Sequence, residues 1–186
     1  MSIRQDIENY CPYNEQEQWD RERMLAFLDQ NEDAFLRTNL TAHMTASAWI
    51  VNESRDKVLM IYHKIYDSWA WTGGHADGEE DLLSVALREA REETGIQSVR
   101  PVTEEIYSLE VVTVDGHEKR GAYVPSHLHM NVTYLLEADE KQEVHICQEE
   151  NSGVKWFSLE DALAACTEPW FIQRIYSKLN AKLTEC

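Results

Sequence analysis

The sequence predicts an α/β layered domain. Segments with the alternation of strands are interspersed with segments that have the periodicity of helices. The 186 residues are 43% hydrophobic and 10% aromatic, with 7 Gly and 4 Pro, a composition typical of a chain that buries a sizeable core. Because no repeat or low-complexity tract interrupts the chain, we expect one domain over residues 41–186, preceded by an N-terminal helical extension over residues 1–40.

The first half of the chain predicts one helix and three strands. Apolar residues spaced three and four apart among charges indicate an amphipathic helix over residues 15–29. Runs of β-forming residues separated by turn formers indicate a hairpin, followed by a third strand that ends at Gly73-Gly74. These strands are expected at residues 44–51, at 57–63 and around Trp69 and Trp71.

The second half predicts further helices and strands in alternation. Asp81 is positioned to cap a helix over residues 82–94, and Gly95 is positioned to end it. Two strands flank a long polar loop, and the last two helices begin with a capping residue or a proline. These elements are expected at residues 106–114 and 128–137, and after Ser158 and Pro169.

The charge of the chain argues against two classes of partner. With 34 acidic and 17 basic side chains, the net charge is −17, which repels nucleic-acid phosphates and anionic membranes. No apolar run approaches the length of a membrane span, and the N-terminus lacks a signal pattern, so we expect a cytoplasmic protein. The four cysteines form no Cys-x-x-Cys pair, so we expect them to be reduced and structural.

Three glutamates share one face of the predicted helix over residues 82–94. Glu89, Glu92 and Glu93 fall at roughly 0°, 300° and 40° around the helix axis. The apolar stripe is about a third of a turn away, so the acids should border the core without lying in it. Like charges at this spacing repel unless a cation lies among them, and oxygen ligands favour Mg²⁺ or Mn²⁺. Arg88 is placed to pair with Glu92, and the alternative is a solvated acidic surface.

Residues 74–96 resemble the signature of the Nudix hydrolases. Gly74 is followed after five residues by Glu80 and, after seven more, by Arg-Glu-Ala-Arg-Glu-Glu-Thr-Gly-Ile, where Ala90 replaces a larger aliphatic residue. The order of strands and helices also resembles this family, which implies an α/β/α sandwich with a mixed sheet. The chain further resembles a group of bacterial Nudix proteins that have no settled substrate, in the stretches His63-Lys64 to Trp69, Gly73-Gly74-His75 and Asp77-Gly78.

The resemblance implies divalent-metal-dependent hydrolysis, by attack of water at phosphorus. The substrate would be a small molecule with a diphosphate linkage, such as a nucleoside diphosphate derivative. The family's metal ligands match Glu89, Glu92, Glu93 and the carbonyl of Gly74. The resemblance also implies that Glu92 takes part in catalysis together with Arg88 and Glu80, the last in an orienting role.

A late loop carries a further candidate. In many family members a glutamate six residues before a tryptophan is a metal ligand or general base, and Glu150 stands at this distance from Trp156. Glu149 is a competitor for the role. The alternative is a solvated acidic turn before a strand.

Other side chains are candidates for contact with the substrate. His127 and His129 share one strand face, which points either toward the substrate or, as is more common, toward solvent. Trp71 could stack on a base, although aromatic residues in strands commonly belong to the core. Lys119 and Arg120 are rare positive charges that could bind a phosphate or serve only solubility.

Two other classes of function stay open. A nucleotide-sensing module would bind its ligand without hydrolysis, and degenerate box glutamates, which are not seen, would favour it. A diphosphate isomerase would need an additional cysteine acid, and Cys147 and Cys166 lie in late segments. The sequence also leaves open whether the N-terminal helix makes the chain a homodimer.

Overall fold

The structure is a computed structural model that describes residues 2–119 and 121–184, and of residue 119 only the backbone. Within this part of the chain, there are ten strands. They are β1 (Ala42–Val51), β2 (Lys57–His63), β3 (Ser68–Ala70), β4 (Thr72–His75), β5 (Val99–Pro101), β6 (Ser108–Val114), β7 (His117–Lys119), β8 (Ala122–Val124), β9 (His127–Ala138) and β10 (Asn151–Ser158).

Eight of the strands form one mixed sheet. Its order is β10-β2-β1-β9-β5, with β3 paired to β2, β4 to β1 and β6 to β9. The central strands β1 and β9 run parallel, from Ala42 opposite Leu128 to Val51 opposite Glu137, whereas the other pairs are antiparallel. The mixed sheet is therefore confirmed. Strands β7 and β8 form a separate hairpin.

The helices precede, interrupt and follow the sheet. They are α1 (Ile3–Asn9), α2 (Glu15–Gln30), α3 (Leu82–Thr94), α4 (Leu159–Ala165), α5 (Pro169–Phe171) and α6 (Ser177–Leu183), with a π-helical turn at Ile172–Tyr176. Helix α3 begins and ends where the capping residues predict. The Asp81 carboxylate accepts the Ser84 N–H at 3.1 Å, and Gly95 has φ 71°. Among the described residues, no helix is both long and apolar enough to cross a bilayer.

Residues of β1 alternate between two hydrophobic cores. Ala46 and Ile50 belong to the core beneath α3, whereas Trp49 and Val51 pack with the C-terminal helices. Helices therefore cover both faces of the sheet, as the predicted α/β/α class requires. The polar side chains of β1 on the same face as Trp49 are those of His43, Thr45 and Ser47.

Several short elements differ from the sequence prediction. The third predicted strand is two strands, because β3 pairs with β2 and β4 pairs with β1 on either side of Trp71. The long polar loop contains β7 and β8, and the short elements β5 and α1 were not predicted. These segments are three to seven residues long, too short for periodicity to reveal them.

The N-terminal segment packs closely against the sheet. Ile7 and Met24 are buried in the core beneath α3. Glu17 is fully buried, and its carboxylate lies 3.0 Å from the Lys178 ammonium in α6. The division into an extension and a domain at residue 40 stays a prediction.

Candidate active site

A cavity of about 760 Å³ lies where β1 and β9 begin. The glutamates of α3 and the glycines of β4 form one wall, and the loop before β10 contributes to the rim. The floor contains an amide that joins two strands. The Asn131 side-chain oxygen accepts hydrogen bonds from the hydroxyls of Thr45 and Ser47 at 3.0 and 2.9 Å.

The glutamates of α3 meet the glycines of β4. The Glu93 side-chain Oε2 accepts the backbone N–H of Gly73 at 2.9 Å. A Cβ added at Gly74 would lie 2.4 Å from the Glu89 side-chain carbon Cδ. Glycine at residue 74 therefore allows that carboxylate to lie directly against the strand.

Glu93 is more deeply buried than its position around the helix axis predicts. The residue is 2% exposed, whereas Glu92 is exposed and Glu89 is partly exposed. The expectation that all three acids would border the core without lying in it is therefore wrong for Glu93. The reason is that β4 lies against this end of α3 and supplies the Gly73 N–H as a partner for the carboxylate.

The electrostatics of this wall are unfavourable without a cation. Burial raises the pKa of the Glu93 carboxyl well above 4.5, and the negative charges of Glu150, Glu89 and Glu92 raise it further. Burial also raises the pKa of Glu89, although Arg88 opposes this effect. Oxygen donors clustered in this way are suited to a hard divalent cation such as Mg²⁺ or Mn²⁺.

The late loop brings both of its candidate glutamates to the cavity. Glu149 and Glu150 line the cavity just before β10. The backbone of Glu150 is held on both sides, since its N–H donates to the Cys147 carbonyl at 2.9 Å and its carbonyl accepts the Lys64 N–H at 3.3 Å. Glu150 is exposed, so its side chain remains accessible to water.

The family model described as the NUDIX domain matches residues 41–179. The chain belongs to the Nudix family. Helix α3 and the turn before it therefore correspond to the Nudix signature, and β4 provides its first glycine.

The individual relatives share about 30% of the aligned residues with this chain. The chain is 30% identical over 132 residues to nucleoside diphosphate-linked moiety X motif 6 of Xenopus laevis, a match that covers 70% of this chain and 56% of the relative. It is 30% identical over 95 residues to the asymmetrical bis(5'-nucleosyl)-tetraphosphatase of Mus musculus, a match that covers 50% of this chain and 58% of the relative. The chain thus spans just over half the length of these relatives.

A solved structure supports the fold. The dihydroneopterin triphosphate pyrophosphohydrolase of E. coli is similar with a TM-score of 0.55 at 15% identity, and the match covers 75% of this chain and 95% of that one. At this identity the likeness bears on the fold alone. It agrees with the mixed sheet and its helical layers.

Two residues of the Nudix signature lie differently from expectation. Glu80, which the resemblance assigns an orienting role, precedes α3 and is exposed, so it does not lie on the helix face of Glu89, Glu92 and Glu93. Arg88 donates to Glu89 at 3.0 Å and not to Glu92. Glu89 is the less exposed of the two carboxylates. Pairing its charge with Arg88 therefore stabilises the fold more than pairing that of Glu92 would.

The predicted histidines line the cavity instead of facing solvent. His127 is 9% exposed and His129 is partly buried, because their rings pack against each other and against the ring of His43. They meet His43 of β1 and His75 of β4, which the sequence did not single out. Burial and the neighbouring imidazoles lower the pKa of His129 to about 2.

The remaining predicted contacts have mixed outcomes. Trp71 lines the cavity and packs edge-on against Tyr176, with ring centres 5.7 Å apart. Arg120 lies outside the described residues, as does the side chain of Lys119, so both stay predictions.

A cation that the sequence did not reveal lies at the rim. Arg37 lines the cavity and forms a two-pronged ion pair with Asp77, one arm of which measures 2.6 Å. Asp77 lies within the Nudix signature, three residues after Gly74. An arginine facing an acidic residue of a family signature is recognisable only once the fold brings the two together.

Proposed function

We propose that this Nudix chain hydrolyses a diphosphate linkage in a nucleoside diphosphate derivative or a related small molecule. The observation that carries the proposal is the convergence of Glu89, Glu92 and Glu93 on a cavity wall beside Gly74. These groups would hold Mg²⁺ or Mn²⁺, with the Gly74 carbonyl as a further ligand. The cation would supply the positive charge that neutralises the diphosphate and eases attack at phosphorus.

The residues of the chain have distinct tasks in this proposal. Gly73 fixes the Glu93 carboxylate through its N–H, and Glu150 accepts the proton of the attacking water. A new O–P bond forms while the bridging P–O bond breaks, and the leaving phosphate departs as an anion. Arg88 positions Glu89, and Glu80 has an orienting role from the exposed turn before α3.

The cavity and the charge of the chain support the proposed substrate class. Trp71 offers an aromatic surface for a base, and Arg37 offers a cation for a phosphate at the rim. The net charge of −17 disfavours nucleic acids and anionic membranes as partners. Relatives named as a bis(5'-nucleosyl)-tetraphosphatase and as a probable DHNTP pyrophosphohydrolase make dinucleoside tetraphosphates and dihydroneopterin triphosphate suitable first substrates to test.

The test is a Mg²⁺-dependent screen of these two compounds together with nucleoside diphosphate sugars and nucleoside triphosphates, with products identified by mass. Glu92→Gln and Glu93→Gln should each lower kcat by a factor on the order of 10²–10³. Glu22→Gln, an exposed helix glutamate outside the cavity, is the matched control and should leave kcat unchanged. Hydrolysis in ¹⁸O-labelled water should identify the phosphorus that is attacked.

Two outcomes would favour the alternatives. Metal-dependent binding of a nucleotide without any product would indicate a sensing module. An isomerised diphosphate would indicate the isomerase class. Neither Cys147 nor Cys166 is among the described residues that line the cavity, which argues against the cysteine acid that this class needs.

A further inference from the structure

Four imidazole rings converge at the end of the cavity. They belong to His43 on β1, His75 on β4, and His127 and His129 on β9. The sheet register brings them together, since His43 lies opposite His129 and Thr45 lies opposite His75. One ring nitrogen of each histidine lies within 4.8 Å of those of the other three.

Two of the rings are oriented by hydrogen bonds on their far side. Nδ1 of His43 lies 3.1 Å from the Asn39 carbonyl, and Nδ1 of His127 lies 2.8 Å from the Pro125 carbonyl. A carbonyl only accepts, so in both rings Nδ1 carries the proton and Nε2 presents its lone pair. Histidines that bind metals are typically held in this way.

Among the described residues, Nε2 of His43 and Nε2 of His127 have no hydrogen-bond partner outside the cluster. Nε2 of His43 is buried and has no hydrogen-bond partner among the described residues. Nε2 of His127 lies 3.1 Å from Nε2 of His129. In a tetrahedral zinc site, with each Zn–N bond near 2.0–2.1 Å, ligand nitrogens are separated by about 3.4 Å. The His127 and His129 pair is therefore already close to the separation that such an ion requires.

We propose that His43, His75, His127 and His129 bind one divalent d-block cation, with Zn²⁺ as the representative ion. Imidazole nitrogen suits Zn²⁺, Ni²⁺ and Cu²⁺, whereas carboxylate oxygen suits Mg²⁺ and Mn²⁺, so this site is chemically distinct from the glutamate wall. Four protein ligands would make it a closed site. The ion would tie β1, β4 and β9 together beside Gly74. The proposal does not depend on the proposed hydrolysis.

The test is a zinc titration of the full chain in excess Mg²⁺, with bound zinc measured by mass spectrometry. The background Glu92→Gln/Glu93→Gln removes the carboxylate site and should retain one zinc equivalent. In that background, His127→Gln and His129→Gln should each weaken zinc binding by at least about 10–100-fold. His145→Gln, which changes an exposed imidazole outside the cluster, should have no effect.

A second measurement does not depend on how the variants fold. Anomalous diffraction at the zinc edge, from crystals of the unaltered chain, should place the ion about 2.0–2.1 Å from the four imidazole nitrogens. An anomalous peak at the glutamates alone would overturn the proposal. Equal zinc affinity in the histidine variants and their parent would also overturn it. The two proposals are tested separately in the Glu92→Gln/Glu93→Gln protein. Its loss of turnover tests the hydrolase proposal, and its retained zinc tests the histidine site.

Discussion

Among the described residues, carboxylates are buried in two regions, and the regions differ in the charges beside them. Between α2, β6 and α6, Glu17 and Glu110 lie 3.0 and 2.9 Å from the Lys178 ammonium. On the cavity wall, the charges that act on buried Glu93 come from other glutamates. The first region is neutralised by the chain itself, and the second is not.

The pKa values move in opposite directions in the two regions. Burial alone would raise the pKa of Glu17, but the ammonium groups of Lys178 and Lys182, together with hydrogen bonds from the Tyr10 hydroxyl and the Tyr13 N–H, hold it below 4.5. At Glu93, burial and the neighbouring carboxylates act together, and the pKa lies well above 4.5. We infer that the first region stabilises the fold, whereas the second sacrifices stability for an external cation.

Removing the lysine from the neutralised region should have the largest effect. Lys178→Met leaves Glu17 and Glu110 buried without their shared partner, which should cost about 3–5 kcal/mol of unfolding free energy at pH 7. Urea denaturation measures this loss. The deficit should shrink at acid pH, because the stability from Glu17 is present above its unfolded pKa and is lost as the pH falls through its lowered folded pKa. Lys141→Met, at an exposed residue, is the control.

Adding a cation to the other region should give the next largest effect. If Mg²⁺ binds the glutamate wall of the folded chain only, a concentration 100 times the dissociation constant should add about 2.7 kcal/mol of stability. Thermal unfolding with and without Mg²⁺ measures this gain. The gain should vanish in Glu92→Gln/Glu93→Gln and persist in Glu22→Gln. An equal gain in all three proteins would show that Mg²⁺ acts elsewhere.

Without any divalent cation, Glu93→Gln should stabilise the protein. The amide keeps an acceptor for the Gly73 N–H but has no charge to bury, so we expect a gain of about 1–2 kcal/mol at pH 7.5. The sign follows from the raised pKa, since stability from protonated Glu93 is present below its unfolded pKa and is lost as the pH rises through the folded value. The gain should therefore disappear near pH 4. Chemical denaturation in a chelator, at both pH values, measures it.

The contrast between the two regions also explains what the sequence could reveal. The face shared by Glu89, Glu92 and Glu93 follows from helix periodicity between Asp81 and Gly95, a local property. The burial of Glu93 does not, because its partner Gly73 lies on a separate strand. Helix periodicity gives the direction of a side chain but not what covers it.

The histidines show the same limit over a longer range. His127 and His129 could be predicted to share a face, because residues two apart in a strand do so. His43 joins them only through the parallel register of β1 and β9, which residues far apart in the chain determine together. Without that register, the sequence could not show that β9 faces a cavity.

Replacing Arg37 should have the smallest effect of these changes. We expect it to weaken substrate binding and to leave stability almost unchanged. Its ion pair with Asp77 is about half exposed, so Arg37→Met should change the unfolding free energy by less than about 1 kcal/mol. If the guanidinium contacts a substrate phosphate, KM should rise about tenfold with little change in kcat, since this contact would be equal in the ground and transition states. Arg37→Lys should recover part of the loss because it keeps the charge, and Arg23→Met, at an exposed residue of α2, should leave KM unchanged. A fall in kcat at constant KM would instead indicate that Arg37 stabilises the transition state. Unchanged kinetics would indicate that Arg37 only forms the ion pair with Asp77.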